Sequence, residues 1–215
     1  MLISKKGLHW KICLFLIIAI PLSDISAQDS NKYFGMTAGY LNSTLKLNFD
    51  LPEGVTKSRY SGYSMGVMAL YRVSDLFDLC GELVLSKKGI KFEDSRDLFY
   101  KQVKVYTGSH ARTDTDLSLM GHFTPYEKNA FEFFVYPGLN IGFNAGDQYT
   151  DLSLDGLIGA GIYINHDIMK IKILDLRYIH GLTNILSNPN TMESGEKYSE
   201  HNRGFLISAG ILYGI

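Results

Sequence analysis

The chain of 215 residues is long enough for one domain, and with 46% apolar and 20% charged residues it is neither disordered nor a bundle of membrane helices. Its 21 basic residues nearly balance 22 acidic ones, and no basic patch marks a nucleic-acid binder, so no nucleic-acid partner is expected. The excess lies in 21 Gly, 14 Tyr and 12 Phe against 5 Pro; glycine suits tightly curved sheets and aromatics gather at membrane interfaces.

Residues 1–27 read as a secretory signal peptide. Lys5, Lys6 and Lys11 form a positive head, Ile12 to Ile20 is an unbroken apolar run, and Pro21 ends it. Ile25-Ser26-Ala27 offers a small residue before a cut at Gln28. The run is too short to span a bilayer, which takes about 20 residues. Removal of this segment leaves 18 basic and 21 acidic residues, a net charge near −3, and a single cysteine, Cys80. A lone cysteine in a strand reads as a small buried apolar residue rather than a reactive thiol.

Residues 28–215 then read as strand after strand with period 2. Phe34, Met36, Ala38 and Tyr40 alternate with Gly35, Thr37 and Gly39. Tyr63, Met65, Val67, Ala69 and Tyr71 alternate with Gly62, Ser64 and Gly66, then Met68, Leu70 and Arg72. Phe77, Leu79, Leu83 and Leu85 alternate with Asp78, Cys80, Glu82 and Ser86. In strand four Leu117, Leu119 and Phe123 alternate with Asp116, Ser118 and His122. Strand five sets Phe131, Phe133, Val135, Leu139 and Ile141 against Glu132, Asn140 and Gly142, with Phe134 and Tyr136 blurring the pattern. Strand six sets Leu152, Leu154, Ile158, Ala160 and Ile162 against Ser153, Asp155, Gly159 and Gly161. Strand seven sets Leu174, Leu176 and Tyr178 against Asp175 and Arg177. The last is the clearest, with Phe205, Ile207, Ala209, Ile211, Tyr213 and Ile215 on one face.

The connections sort themselves. Ser74-Asp75-Leu76, Pro125 to Asn129 and Asn165-His166-Asp167 are short, whereas 46–58, 93–111, 143–151 and 183–202 are longer and polar. Alternation places every short turn at one rim and every long loop at the other. Val103 and Val105 suggest that the second long loop continues as a hairpin above the membrane. In hydrocarbon every backbone amide must be paired internally, so a sheet can span only if it closes. The fold class implied is all-β: an eight-stranded antiparallel up-and-down transmembrane β-barrel with short periplasmic turns and longer extracellular loops, located in the cell outer membrane. A soluble lipocalin-like barrel is the alternative, and it requires apolar residues inside and polar ones outside. The expected partners follow from the location: outer-membrane lipid and lipopolysaccharide, the barrel-assembly machinery, and an envelope protein.

The stretch Asp175-Leu176-Arg177-Tyr178-Ile179-His180-Gly181-Leu182-Thr183-Asn184-Ile185 resembles the "RY-x-x-GL-x-N-I" segment of the PorT-like outer-membrane β-barrel family. Leu85-Ser86-Lys87-Lys88-Gly89, the opening Gly35-Met36-Thr37-Ala38-Gly39 and the closing strand after Asn202-Arg203-Gly204-Phe205 are similar to its strands three, one and eight. The resemblance implies the same barrel and a structural or interaction role, with a link to secretion.

The inward charges carry the chemistry. Arg72, Arg177 and Lys88 are placed to face Glu82, Asp116, Glu132, Asp155 and Asp175. A charge in a filled lumen is costly unless paired, so a salt-bridge network plugging the barrel is the first expectation. A narrow channel for ions or small solutes is the alternative. A hydrolase or acyltransferase site at the long-loop rim would draw on His110, Asp114 and Asp116, or on His180 and His201, yet no spacing enforces their approach. The six histidines are scattered without ligand spacing. The sequence therefore assigns no catalytic, cofactor-binding or metal-ligating residue and no cofactor, and the chain is expected not to be an enzyme. Phe49, Phe92, Phe99, Tyr100, Tyr106, Tyr149 and Tyr198 are expected at the membrane interface or exposed on the loops.

Overall fold

The computed structural model describes residues 31–48, 51, 53–94, 106–128, 130–144, 152–166, 168–185 and 199–215; residues 1–27, expected to be a signal peptide, lie outside them. The strands are β1 (Lys32–Leu47), β2 (Val55–Ser74), β3 (Phe77–Asp94), β4 (Tyr106–Lys128), β5 (Phe131–Asn144), β6 (Leu152–His166), β7 (Met169–Gly181) and β8 (Glu200–Gly214). They pair in chain order, all antiparallel, and the sheet closes through β1 and β8, from Tyr33 opposite Gly214 to Leu47 opposite Glu200. No strand is left without two neighbours, which satisfies the backbone inside a bilayer.

The alternation is inside out relative to a water-soluble barrel. Met36 is 69% exposed and Ile158 62%, while Glu132, Asp114 and Asp155 are fully buried. The lipocalin-like alternative fails on this point. Tyr71, Phe77, Phe123, Tyr126, Phe131 and Tyr213 ring the short-turn end of the outer face, and Tyr40, Tyr63, Phe143 and Phe205 ring the long-loop end. Two aromatic girdles around an aliphatic band are the mark of a barrel that sits in a bilayer.

Strands run longer than the alternation indicated. The short links shrink to 75–76, 129–130 and 167–168, and the long ones to 48–54, 95–105, 145–151 and 182–199. Pro125, expected in a turn, lies within β4. It occupies the register shift between Phe123 and Tyr126, where a residue without an N–H breaks no ladder bond. At the other rim the sequence loses its greasy alternation because both faces of the strands meet water there, although backbone pairing persists. The β3–β4 hairpin is paired as far as Asp94 and Tyr106; Val103 and Val105 lie beyond, outside the described residues. Described β5 pairing with β4 stops at Asp114, so residues 106–113 of β4 are held by β3 alone among the described residues. Together with the upper ends of β2 and β3 they form a three-stranded tongue that runs roughly 25 Å of strand beyond the last described β4–β5 pair. Of the aromatics expected at the loops, Phe92 turns inward onto Leu45, Ile90 and Ile185. The side chains of the other six lie outside the described set.

Candidate functional site: a tiered, ion-paired lumen

Inward positions of the eight strands stack into tiers along the barrel axis. The lowest is built on Glu132. Its carboxylate accepts from Arg72 Nη2 at 2.9 Å, from Lys170 Nζ at 2.6 Å and from Asn165 Nδ2 at 2.9 Å. Arg72 also reaches Asp78, at 3.3 Å. Lys170 hangs over the rings of Tyr33 and Tyr163, 5.2 and 5.3 Å from their centroids, so its charge is also met by aromatic faces.

An aromatic collar follows. The His122 imidazole stacks on Phe134 with centroids 4.6 Å apart, and Phe134 stacks on Tyr163 at 4.5 Å. Leu70, Cys80, Met120 and Leu212 fill the remainder of this layer. The glycines of β6 make room for the rings. A Cβ on Gly161 would lie 2.3 Å from the Phe134 ring, and one on Gly159 2.4 Å from that of Tyr136. Phe134 and Tyr136 blur the β5 alternation because both point into the lumen opposite these glycines.

Above the collar Glu82 and Asp175 face Lys172 and Arg177. Lys172 Nζ lies 3.1 Å from Glu82 and 3.2 Å from Asp175; Arg177 reaches the same two carboxylates at 2.8 and 3.0 Å. The hydroxyls of Tyr136 and Ser208 donate to Asp175 as well. The next layer is apolar: Leu41, Val84, Leu157, Ile179 and Leu206, all buried. The upper tier centres on Lys88, 2.7 Å from Asp116, 3.6 Å from Asp114 and 4.0 Å from Asp155. Asn140 donates to both Asp116 and Asp155, and Asn202 to Asp155. Arg112 binds Asp114 at 3.0 Å. A final apolar cap of Leu45, Ile90 and Ile185 closes the long-loop end.

Every charged residue expected to face inward does so, in the salt-bridge network anticipated for the lumen. Lys170 and Lys172 were missed, although the alternation Lys170-Ile171-Lys172-Ile173 carries the signal. A register shift between Lys172 and Asp175 hides it, because the bulge puts Ile173 and Leu174 between two inward residues. Asp114 and Asp116 are inside the lumen and ion-paired, whereas His180 and His201 occupy outward positions of β7 and β8. The His110 side chain lies outside the described set. Cys80 is fully buried. Among the described residues no group of three His, Cys, Asp or Glu is placed to hold a metal ion.

The strand-seven segment has a structural explanation. Arg177 joins the ion pairs, and Gly181 lets the Asn202 backbone approach to where a Cβ would be 2.5 Å from its nitrogen. Thr183 Oγ1 accepts from Leu154 N, and Asn184 Oδ1 accepts from Glu200 N. Ile185, fully buried, turns back into the barrel mouth.

No family model and no curated protein matches the chain. Solved structures do. The Neisserial surface protein A (NspA) superposes with a TM-score of 0.54 at 11% identity, over 86% of this chain and 98% of its own. The outer membrane protein OprG from Pseudomonas aeruginosa gives 0.53 at 13% identity, over 88% and 98%. The fold is that of outer-membrane eight-stranded barrels.

Proposed function

We propose that this protein is a sealed outer-membrane barrel that works by contact at its long-loop rim with another component of the cell envelope. The carrying observation is the closed lumen. Two ionic tiers and the charged floor are separated by an aromatic collar and an aliphatic layer. The cavities left beside the upper tiers are about 10 and 20 Å³, room for single waters at most. A non-conducting, non-catalytic scaffold leaves the loops and the β2–β3–β4 tongue as its working surface. The outer-membrane location is supported by the girdled apolar belt and by the fold shared with NspA and OprG. Membership of the PorT-like family, and a place in secretion, rest on the strand-seven segment and its companions in strands one, three and eight.

Two measurements test the reading. In planar bilayers the purified barrel is expected to give no conductance steps. A photo-crosslinking residue placed at Lys57 or Ser109 on the tongue is expected to capture a discrete envelope protein in intact cells, where one at Leu119 on the lipid belt captures only lipid. Steady ion conductance, or tongue positions that behave like the belt, would overturn it.

A further inference from the structure

The lumen holds nearly balanced charge, but the outer face does not. Where the apolar belt ends at the long-loop side, the outward positions of five adjacent strands change to basic residues. On β7 the outward row passes from Tyr178 to His180. On β8 it passes from Phe205 to Arg203 and His201, and on β1 from Tyr40 by way of Asn42 and Thr44 to Lys46. Arg59 of β2 reaches across β1 and lays its guanidinium over the Phe205 ring, 5.5 Å from the centroid. On β3 Leu85 is followed outward by Lys87 and Lys91. The register makes the row continuous: His180 lies opposite Arg203, Thr44 opposite Arg203, and Lys46 opposite His201.

The described outward positions that continue β4 above its belt are neutral, Thr115, Thr113 and Ala111. Glu93 is the outward acid on the described upper parts of the five basic strands. The short-turn rim is mixed, with Lys32 and Lys128 beside Asp75 and Glu127. Among the described residues the cations of the crescent take no part in the lumen ion pairs, Arg59 being stacked on Phe205. Arg203 Nε and His201 Nδ1 are buried from solvent without a hydrogen-bond partner.

Height identifies the ligand. Two residues along a strand advance about 6–7 Å, and the tilt of a barrel strand turns that into roughly 5 Å of depth. The polar layer of a bilayer is about 5–8 Å thick on each side. The first outward residue past the belt therefore lies within the headgroups. Its arginine is the side chain suited to forked recognition of phosphate.

We infer that Arg59, Lys87 and Arg203 form a binding crescent for the phosphate groups of a phosphorylated lipid in the leaflet at the long-loop rim. It rests on the outer-membrane reading above but not on a protein partner. One side of the barrel, from β7 to β3, is thereby anchored in ordered anionic lipid.

The test is native mass spectrometry of the detergent-solubilised barrel titrated with bisphosphorylated lipid A, with the same lipid after phosphate removal, and with inorganic phosphate. The bisphosphorylated lipid is expected to bind and its dephosphorylated form to bind much more weakly. Each of Arg59→Gln, Lys87→Gln and Arg203→Gln is expected to weaken binding about fivefold. The three together should abolish saturable binding, and Lys32→Gln with Lys128→Gln at the opposite rim should change nothing. Heat-modifiable gel migration shows that each variant is folded; if the triple variant fails that check, the single variants decide. Equal binding of the two lipid forms would overturn the inference, as would single variants that bind like the wild type. Displacement of the lipid by excess inorganic phosphate would make this a soluble-anion site and overturn it too. None of these readouts depends on the crosslinking experiment.

Discussion

Glu132 is the place to test whether the lumen is held by paired charge. It is fully buried and accepts from Arg72, Lys170 and Asn165. Its loss affects the two cations differently. Arg72, with its side chain 23% exposed, keeps Asp78 at 3.3 Å. Lys170, with its side chain 1% exposed, has Glu132 as its ion-pair partner at 2.6 Å and is left with the two tyrosine rings and the more distant Asp78 carboxylate. Breaking a buried pair from one side costs about 3–5 kcal/mol, whereas exchanging both partners for apolar groups of similar size is nearly neutral. Glu132→Leu is therefore expected to destabilise by about 3–5 kcal/mol, and Glu132→Leu with Lys170→Met by less than about 2 kcal/mol. Arg72→Met leaves Glu132 with Lys170 but removes the donor that buried Asp78 accepts from, so it should cost about 1–3 kcal/mol. Equilibrium urea unfolding in lipid vesicles, followed by tryptophan-free tyrosine fluorescence or by gel migration, gives all three. A double variant less stable than Glu132→Leu alone would refute the claim that stranded charge, rather than lost packing, sets the cost.

Gly161→Val should push the Phe134 ring off its stack and cost about 1–3 kcal/mol, seen as a lower melting temperature in the heat-modifiability assay; an unchanged melting temperature would mean that the collar is loosely packed. Cys80 should resist maleimide in the folded barrel and react once it is unfolded, and equal rates in both states would contradict its burial. Thr183→Val, which removes the acceptor for Leu154 N, should cost about 1 kcal/mol in the same unfolding experiment. Mass spectrometry of the exported protein should find its first residue at Gln28; a start elsewhere would refute the reading of residues 1–27.

The fold was legible because period 2 is a direct record of which face meets lipid. All eight strands could be read from it, and their errors have one physical source. Alternation reports a difference between two environments, and the difference vanishes where both faces meet water. The β3 and β4 ends at Asp94 and Tyr106 therefore read as loop although they are paired strand. Pro125 misled for a complementary reason: it marks a missing ladder bond, which a bulge and a turn supply equally well. Lys170 and Lys172 fell outside the sequence reading because the shift between Lys172 and Asp175 moves the inward set by one residue, and a periodic pattern cannot be carried across it.

The same geometry separates residues that shape the barrel from residues free to do something else. The strand-seven segment has the family-like spelling, yet its parts have structural tasks: Arg177 pairs, Gly181 admits a neighbouring backbone, Thr183 and Asn184 close off the ends of β6 and β8, and Ile185 caps the lumen. A sequence match there testifies to the architecture and is silent about activity. The outward cations on β8, β2 and β3 are the converse. Arg203, Arg59 and Lys87 join none of the lumen ion pairs and lie beyond the apolar belt, so neither closure nor insertion of the barrel demands their charge. Periodicity assigns such positions only to the polar end of a strand; the register across β7 to β3 brings them side by side. The residues on which a chain of this fold can vary its function are therefore those whose chemistry the wall does not consume, and here they are basic and at the depth of phosphate.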